Sequence, residues 1–156
     1  MPSSDITIFS DVAKDVDGAK KFSKFTSQHL MSQKGIATVA AASGTGTDIG
    51  MIPFQEGWSL IGFSIVSDDL DTGTDVTLDV GYLYDDSNLT DDPNAFLSAA
   101  DIAQDGGSLI WPIADGLLTG VGFTSEGSGF LTITTGGGAT TTAGDITLTA
   151  TFTYDN

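Results

Sequence analysis

Several residue types on which protein chemistry depends are scarce or missing in this sequence. It contains no cysteine and no arginine, and His29 is its single histidine. Without cysteine, disulfides, thiolate metal ligands and Cys–His catalysis are excluded, so stability must come from burial, sheet hydrogen bonds or assembly. One histidine argues against a zinc site, and the lack of arginine removes bidentate recognition of phosphate or carboxylate. No apolar run approaches the ~20 residues that a membrane span requires.

Basic residues are also few. The chain has 21 acidic residues and five lysines, which gives a formal net charge of −16. All five lysines lie within residues 14–34, whereas residues 35–156 contain 17 acids and no base. Such a body repels phosphate backbones and anionic lipids, so we expect neither nucleic acid nor a membrane as a partner. The charge provides solubility, or else it docks the acidic body or the basic N-terminal segment on a partner of opposite charge.

Short β-type runs separated by turn residues are abundant. The clearest is 145–154, where apolar residues at even positions alternate with threonines, which predicts one buried and one solvated face. In residues 59–67 the same alternation is expected to bring Ile61, Phe63 and Ile65 to one side. Further strands are predicted at residues 35–42, 75–84, 108–113, 117–123 and 129–135.

These runs predict an all-β fold, an antiparallel β-sandwich or jelly roll of seven or eight strands. One short helix is expected at residues 94–103, because Asp92 can cap it, Pro93 suits its first turn and a pair of glycines follows its end. Residues 1–34 carry a weak helical stripe and are interpreted as an N-terminal arm or helix. Residues 35–156 are expected to form the sandwich body.

The candidates for chemistry are carboxylates and tryptophans. Two stretches, 68–75 and 85–92, are rich in aspartate, but neither matches the ligand spacing of an EF-hand loop, so turns, caps and solvation explain them better. The two glutamates lie in turn-like contexts, and the many aspartates single out no acid–base pair. We therefore expect no enzyme, no metal and no cofactor. Trp58 and Trp111 are interpreted as core or interface aromatics, with a sugar-stacking platform as the alternative.

Three segments carry a resemblance to a known group of proteins. VTLDVG at residues 76–81 is followed by DPNAFLSAAD at residues 92–101, and ITLTATFTYD stands near the end of the chain. This order resembles small virion proteins of tailed bacteriophages, in which an ITLTVG-like strand leads through an aspartate turn to an AFLxAAD helix and a Gly-rich return. The likeness covers residues 49–156 and leaves the lysine-bearing N-terminal segment outside.

The resemblance implies a non-enzymatic decoration or cement protein on the capsid exterior, with the major capsid protein and further copies of itself, as a homotrimer, for partners. The arm would tie each copy to its neighbours through lysines that meet acidic surface and phenylalanines that fill apolar pockets. The residues expected to make these contacts are Lys14, Lys20, Lys21, Phe22, Lys24 and Phe25. The alternative is a sandwich of a phage tail or adhesin that binds a glycan or host surface, with an exposed tryptophan or calcium-binding aspartate loops.

Overall fold

The computed structural model describes residues 29–111 and 123–154. Within these residues the chain forms eight β-strands and no helix, which confirms the all-β prediction. In chain order the strands are β1 (His29–Val39), β2 (Asp48–Phe54), β3 (Ser59–Ser67), β4 (Thr77–Tyr84), β5 (Asp92–Ala100), β6 (Gly107–Trp111), β7 (Gly129–Gly136) and β8 (Gly144–Tyr154).

The strands form two four-stranded sheets. Sheet A has the order β1-β8-β3-β6, and sheet B has the order β2-β7-β4-β5. Each neighbouring pair within a sheet runs antiparallel. The sheets pack face to face around one apolar core, to which both contribute. The predicted antiparallel β-sandwich is therefore confirmed.

Strand β8 shows how the sequence pattern builds this core. Its inward-facing residues Ile146, Leu148, Ala150 and Phe152 are fully buried, while the threonines between them face outward. Burying an aliphatic or aromatic side chain of this size contributes roughly 1.5–3 kcal/mol. Because β8 lies between β1 and β3, both of its edges are paired, and the predicted alternation is confirmed.

Strand β3 departs from its predicted alternation at a β-bulge. One extra residue, Ile61, stands between Leu60 and Gly62 in the pairing with β8. Leu60 and Phe63 are therefore both buried, whereas Ile61 is 51% exposed. The prediction that Ile61 shares a face with Phe63 and Ile65 is wrong, because the bulge shifts the two-residue period by one position.

The short helix predicted at residues 94–103 is also wrong, since most of this stretch is strand β5. The strand pairs with β4 and buries Phe96 and Leu97. A helix of this length is marginal in water, whereas pairing with β4 satisfies the backbone and buries these side chains. Pro93 is tolerated because β5 is an edge strand. Ala99 has a φ of 52°, a left-handed conformation that interrupts a helix and a regular strand alike.

Some predicted boundaries also differ from the observed strands. β1 begins at His29, so residues 29–34, which the sequence assigns to the arm, belong to sheet A. The rest of the arm, residues 1–28, lies outside the described residues, as does the strand predicted at 117–123 apart from its last residue. Strand β2 has no predicted counterpart, because its glycine and proline lower its β-propensity. Its position at the edge of sheet B accommodates the proline.

Candidate interaction surface

The outer face of sheet A consists of the strand residues that point away from the core. Rows of side chains cross the sheet there: Ile36 of β1 pairs with Thr147 of β8, which pairs with Val66 of β3. The centre of the face is a column of threonines on β8, namely Thr147, Thr149, Thr151 and Thr153. Their branched side chains suit a pleated surface and carry no charge. The result is a flat, uncharged centre flanked by apolar residues.

Exposed apolar side chains gather on this face. Among the described residues, every large apolar side chain that is exposed, apart from Phe130, belongs to it. Ile110 is 72% exposed and Ile36 is 59% exposed, and the others are Leu30, Ile61 and Val66. Soluble monomers rarely expose contiguous apolar patches of more than roughly a few hundred Å², and patches above that size mark interaction sites. The outer face of sheet A is therefore the candidate interaction surface.

Charge is scarce at the outward-facing positions of these four strands. Lys34 and Asp145 are the charged residues there, one of each sign, and Thr38 donates a hydrogen bond of 2.6 Å from Oγ1 to Asp145. Most carboxylates lie instead in loops, above all in residues 68–75 and 85–91. Two copies of a body with this net charge repel each other. The outer face of sheet A adds little to that repulsion, because it carries one charge of each sign.

A shallow open groove of ≈ 440 Å³ crosses this face between β3, β6 and β8. It lies beside the bulge in β3, where Gly62 contributes no side chain and leaves space between its larger neighbours. Its outward lining is uncharged and consists of Ile61, Gly62, Ser64, Ile110, Thr149 and Thr151. A groove of this composition can hold an apolar side chain of a partner, and it contains no ionisable group for catalysis.

The sequence did carry a signal for this face. In β3 the run SLIGFSIVS is apolar on both sides, and in β6 apolar residues occupy consecutive positions 109–111. A strand at the surface of a two-sheet protein normally alternates between apolar and polar residues. Apolar residues on both sides therefore indicate either a strand buried on both faces or an interface, and the exposure of Ile61 and Ile110 favours the interface.

Of the residues that the sequence singled out for partner binding or stacking, the structure describes the side chain of Trp58. Lys14, Lys20, Lys21, Phe22, Lys24 and Phe25 lie outside the described residues, and so does the side chain of Trp111. Trp58 is half-buried against the core, and its ring stacks on that of Tyr154 with centroids 5.7 Å apart. It also contacts Phe152 at 5.5 Å. Trp58 is thus a core aromatic, as interpreted, rather than part of a flat exposed platform.

The first aspartate-rich loop is organised by a buried carboxylate. Asp71 is 4% exposed and accepts backbone hydrogen bonds from Gly73 (3.0 Å), Asp75 (2.8 Å) and Val76 (3.1 Å). Thr141 Oγ1 donates another, at 3.2 Å. These hydrogen bonds, with that from Asp75 foremost, lower the pKa of Asp71 below its ordinary 3.8 despite partial desolvation. The carboxylate therefore holds the loop in shape.

Carboxylates that accept hydrogen bonds also hold the second aspartate-rich loop in shape. Asp86 accepts hydrogen bonds from the backbone N (2.9 Å) and Nδ2 (2.7 Å) of Asn88, which lower its pKa. Asp91 accepts one of 2.7 Å from the backbone N of Tyr84. Within residues 29–111 and 123–154, no three histidine or carboxylate side chains are grouped to hold a metal ion. The hydrogen bonds of Asp71, Asp86 and Asp91 to loop and strand-end backbone are those expected of turn and cap residues.

Comparison with solved structures finds this fold in bacteriophage capsids. A chain of the cyanophage Pam1 capsid asymmetric unit matches with a TM-score of 0.64 and 21% identity, over 87% of this chain and 91% of that one. A chain of the Ralstonia phage GP4 capsid matches with a TM-score of 0.62 and 20% identity, over 81% and 84%. This chain shares its fold with these two capsid chains. A chain of the acidic stable capsid of Helicobacter pylori bacteriophage KHP30 matches with a TM-score of 0.54 and 11% identity, over 83% and 94%.

The shared fold confirms, at the level of architecture, the resemblance to phage virion proteins that the sequence suggested. No protein-family model and no curated protein matches the chain. The matches cover most of both partners, so the likeness extends over the whole sandwich rather than one hairpin. The described residues include no helical segment that could span a lipid bilayer.

Proposed function

We propose that this chain is a non-enzymatic structural protein of a phage virion, which decorates the capsid exterior and cements it. The observation that carries the proposal is the outer face of sheet A. It combines a threonine column, exposed apolar side chains and one charge of each sign on a strongly acidic chain. Such a face binds by shape and apolar burial, which is what a cement protein requires.

The architecture supports this assignment. The order β1-β8-β3-β6 opposite β2-β7-β4-β5 supports a jelly roll, a fold of eight strands in two sheets that occurs in viral capsid domains. The capsid chains with similar folds support a virion location. Fold alone does not assign a role, so the surface of sheet A carries the functional step.

We assign two sets of contacts to this protein. The outer face of sheet A packs between copies in a homotrimer, because a charge-poor face is where acidic bodies can meet. The N-terminal arm binds the major capsid protein through Lys14, Lys20, Lys21, Phe22, Lys24 and Phe25. Many identical copies multiply such weak contacts on a symmetric particle.

Sedimentation velocity on the full chain tests the self-contact. A charge placed on the face, as in Ile110→Asp or Ile61→Asp, should convert a trimer to monomers, since a carboxylate is costly to bury without a partner. Thr45→Asp adds the same charge in the exposed β1–β2 loop and should leave the trimer intact. Circular dichroism must show all three variants folded. A wild-type monomer, or trimers that survive both face variants, would refute this contact.

Co-sedimentation with capsids tests the virion role. Capsids of the phage that encodes this chain, assembled without it, should bind the wild-type protein saturably and in a fixed ratio to the major capsid protein. Deleting residues 2–27 removes Lys14, Lys20, Lys21 and Lys24 but leaves β1, which begins at His29. This variant should stay folded and lose most of its binding. Absence of wild-type binding would reject the proposed function, and undiminished binding of the deletion variant would reject the arm.

A further inference from the structure

A second concavity, away from the outer face of sheet A, is walled by aromatic rings. It has a volume of ≈ 440 Å³ and is lined by Tyr82, Tyr84, Phe123, Thr90, Thr124 and Glu126. The ring of Tyr82 lies 4.7 Å from that of Phe123 and 5.1 Å from that of Tyr84, measured between centroids. Phe54 supports Tyr84 from behind at 5.8 Å. The three rings are thus held in place by packing against one another and form one wall of the concavity.

Carboxylates surround this aromatic wall. Glu126 is part of the lining, and its backbone N donates a 3.2 Å hydrogen bond to the Tyr84 hydroxyl. Burial, and after it the nearby ionisable groups Tyr84, Asp92, Glu126 and Asp91, raise the pKa of Tyr82 above its ordinary 10.0. Negative charge near aromatic rings favours cations, which also bind ring faces directly. The concavity therefore suits a lysine side chain flanked by apolar groups.

The concavity lies at the end of the sandwich where strand β1 begins. His29, the first residue of β1, pairs with Tyr154, whose ring stacks on Trp58. The backbone N of Trp58 donates to Ser125 Oγ (3.0 Å), and the backbone N of Ser125 donates to the Trp58 carbonyl (2.8 Å). Glu126 follows directly in the chain. A short path of contacts thus joins the start of β1 to the rim of the concavity.

The segment that precedes β1 has the complementary chemistry. Residues 1–28, here called the leader, contain every lysine of the chain except Lys34, together with Phe22 and Phe25 next to Lys24. We propose that the concavity of Tyr82, Tyr84 and Phe123 binds the leader of the same molecule, with lysine side chains over the rings and near the surrounding carboxylates. The free protein then holds its leader on its own acidic body until a capsid surface competes for the leader.

Chain length and tethering favour the leader of the same molecule over that of another. Lys24 lies five residues before His29, and an extended chain of that length spans about 17 Å. The neighbouring lysines at 20 and 21 can reach further. A tethered segment is present at an effective concentration of the order of millimolar, so it outcompetes the leaders of unassociated copies in dilute solution.

Photo-crosslinking on the full chain tests this binding site without capsids, so its result is independent of the proposed function. Thr90→p-benzoylphenylalanine places the probe in the exposed rim of the concavity, and Thr45→p-benzoylphenylalanine places it in the exposed β1–β2 loop at the other end of β1. We expect crosslinks from position 90 to leader peptides and none from position 45. Crosslinks from position 90 only to the body, or none, would overturn the proposal.

Two further experiments identify the residues that make the contact and the molecule that supplies them. Replacing the four leader lysines with glutamine should lower the crosslink yield by roughly fivefold or more, because several weak contacts are lost together, whereas Lys34→Gln should not. When ¹⁵N-labelled and unlabelled protein are mixed in denaturant and refolded together, so that any trimer contains both labels, crosslinks should still form within one label only. Unchanged yield without the four lysines, or crosslinks that join the two labels, would contradict binding of the molecule's own lysine-bearing leader.

Discussion

Replacing Phe96 with alanine should remove a large part of the stability of this fold. Phe96 is fully buried in β5, and its ring lies 5.2 Å from Phe123, 5.8 Å from Tyr82 and 6.4 Å from Phe63, between centroids. Phe63 belongs to sheet A and Tyr82 to sheet B, so the ring joins the two sheets. Removing it deletes apolar burial and leaves a cavity among rings that are themselves held in place. Phe→Ala changes in such positions cost about 3–5 kcal/mol.

A loss of that size is readily measured, because domains are stable by only about 5–15 kcal/mol. Urea unfolding of the full chain at a fixed protein concentration, followed by circular dichroism, should show a lower midpoint with an unchanged slope. The melting temperature should fall by roughly 10 °C. Ser98→Ala, at an exposed position of the same strand, should change stability by less than about 0.5 kcal/mol. A loss below about 1 kcal/mol for Phe96→Ala would refute the placement of β5 against the core.

Three further changes probe local features. Ala99→Gly should stabilise the protein by roughly 0.5–1 kcal/mol in a melt, because glycine relieves the φ of 52°; destabilisation of similar size would instead indicate a helix. Gly35→Ala should destabilise by about 1–3 kcal/mol, because the new methyl group meets the backbone of β2, whereas Gly44→Ala has open space and should be neutral; equal effects would contradict the close contact of the sheets. Asp71→Asn should destabilise at pH 7. Because the pKa of Asp71 is lowered in the folded protein, its ionised carboxylate contributes stability above pH 3.8. That contribution is lost as the pH falls through the folded-state pKa. The difference in stability between the variant and the wild type should therefore shrink below about pH 4. A pH-independent difference would rule out the carboxylate as its cause.

The strands that could be predicted are those whose environment is simple. β8 is central in its sheet, buried on one face and lined mainly by threonines on the other, so its two-residue period is regular over its length. β4 and β7 are also central in their sheet, and their predicted positions agree with the structure to within two residues at either end. In such strands one physical requirement, an apolar inner face, determines the sequence pattern.

The strands that could not be predicted are those where tertiary contacts override local signals. β5 begins with an aspartate and a proline and contains four alanine or leucine residues, all of which favour a helix start. Pairing with β4 and the burial of Phe96 stabilise the strand over the helix. Neither interaction can be predicted from a short stretch of sequence. In β3 the bulge at Ile61 depends on the register with β8, which is a long-range property.

The two adhesive features of this chain should respond differently to salt. In the proposed trimer, the outer face of sheet A binds through apolar area and is nearly free of charge, so added salt mainly screens repulsion between the acidic bodies and should strengthen self-association. In the proposed intramolecular contact, the leader binds through lysines to carboxylates near the tyrosines, so the same salt should release it from the concavity. Raising sodium chloride from about one-tenth molar to one molar shortens the screening length from ~10 Å to ~3 Å. Trimer formation should therefore persist or increase over this range while the crosslink from position 90 disappears. A parallel loss of both would mean that charge, rather than apolar burial, holds the copies together.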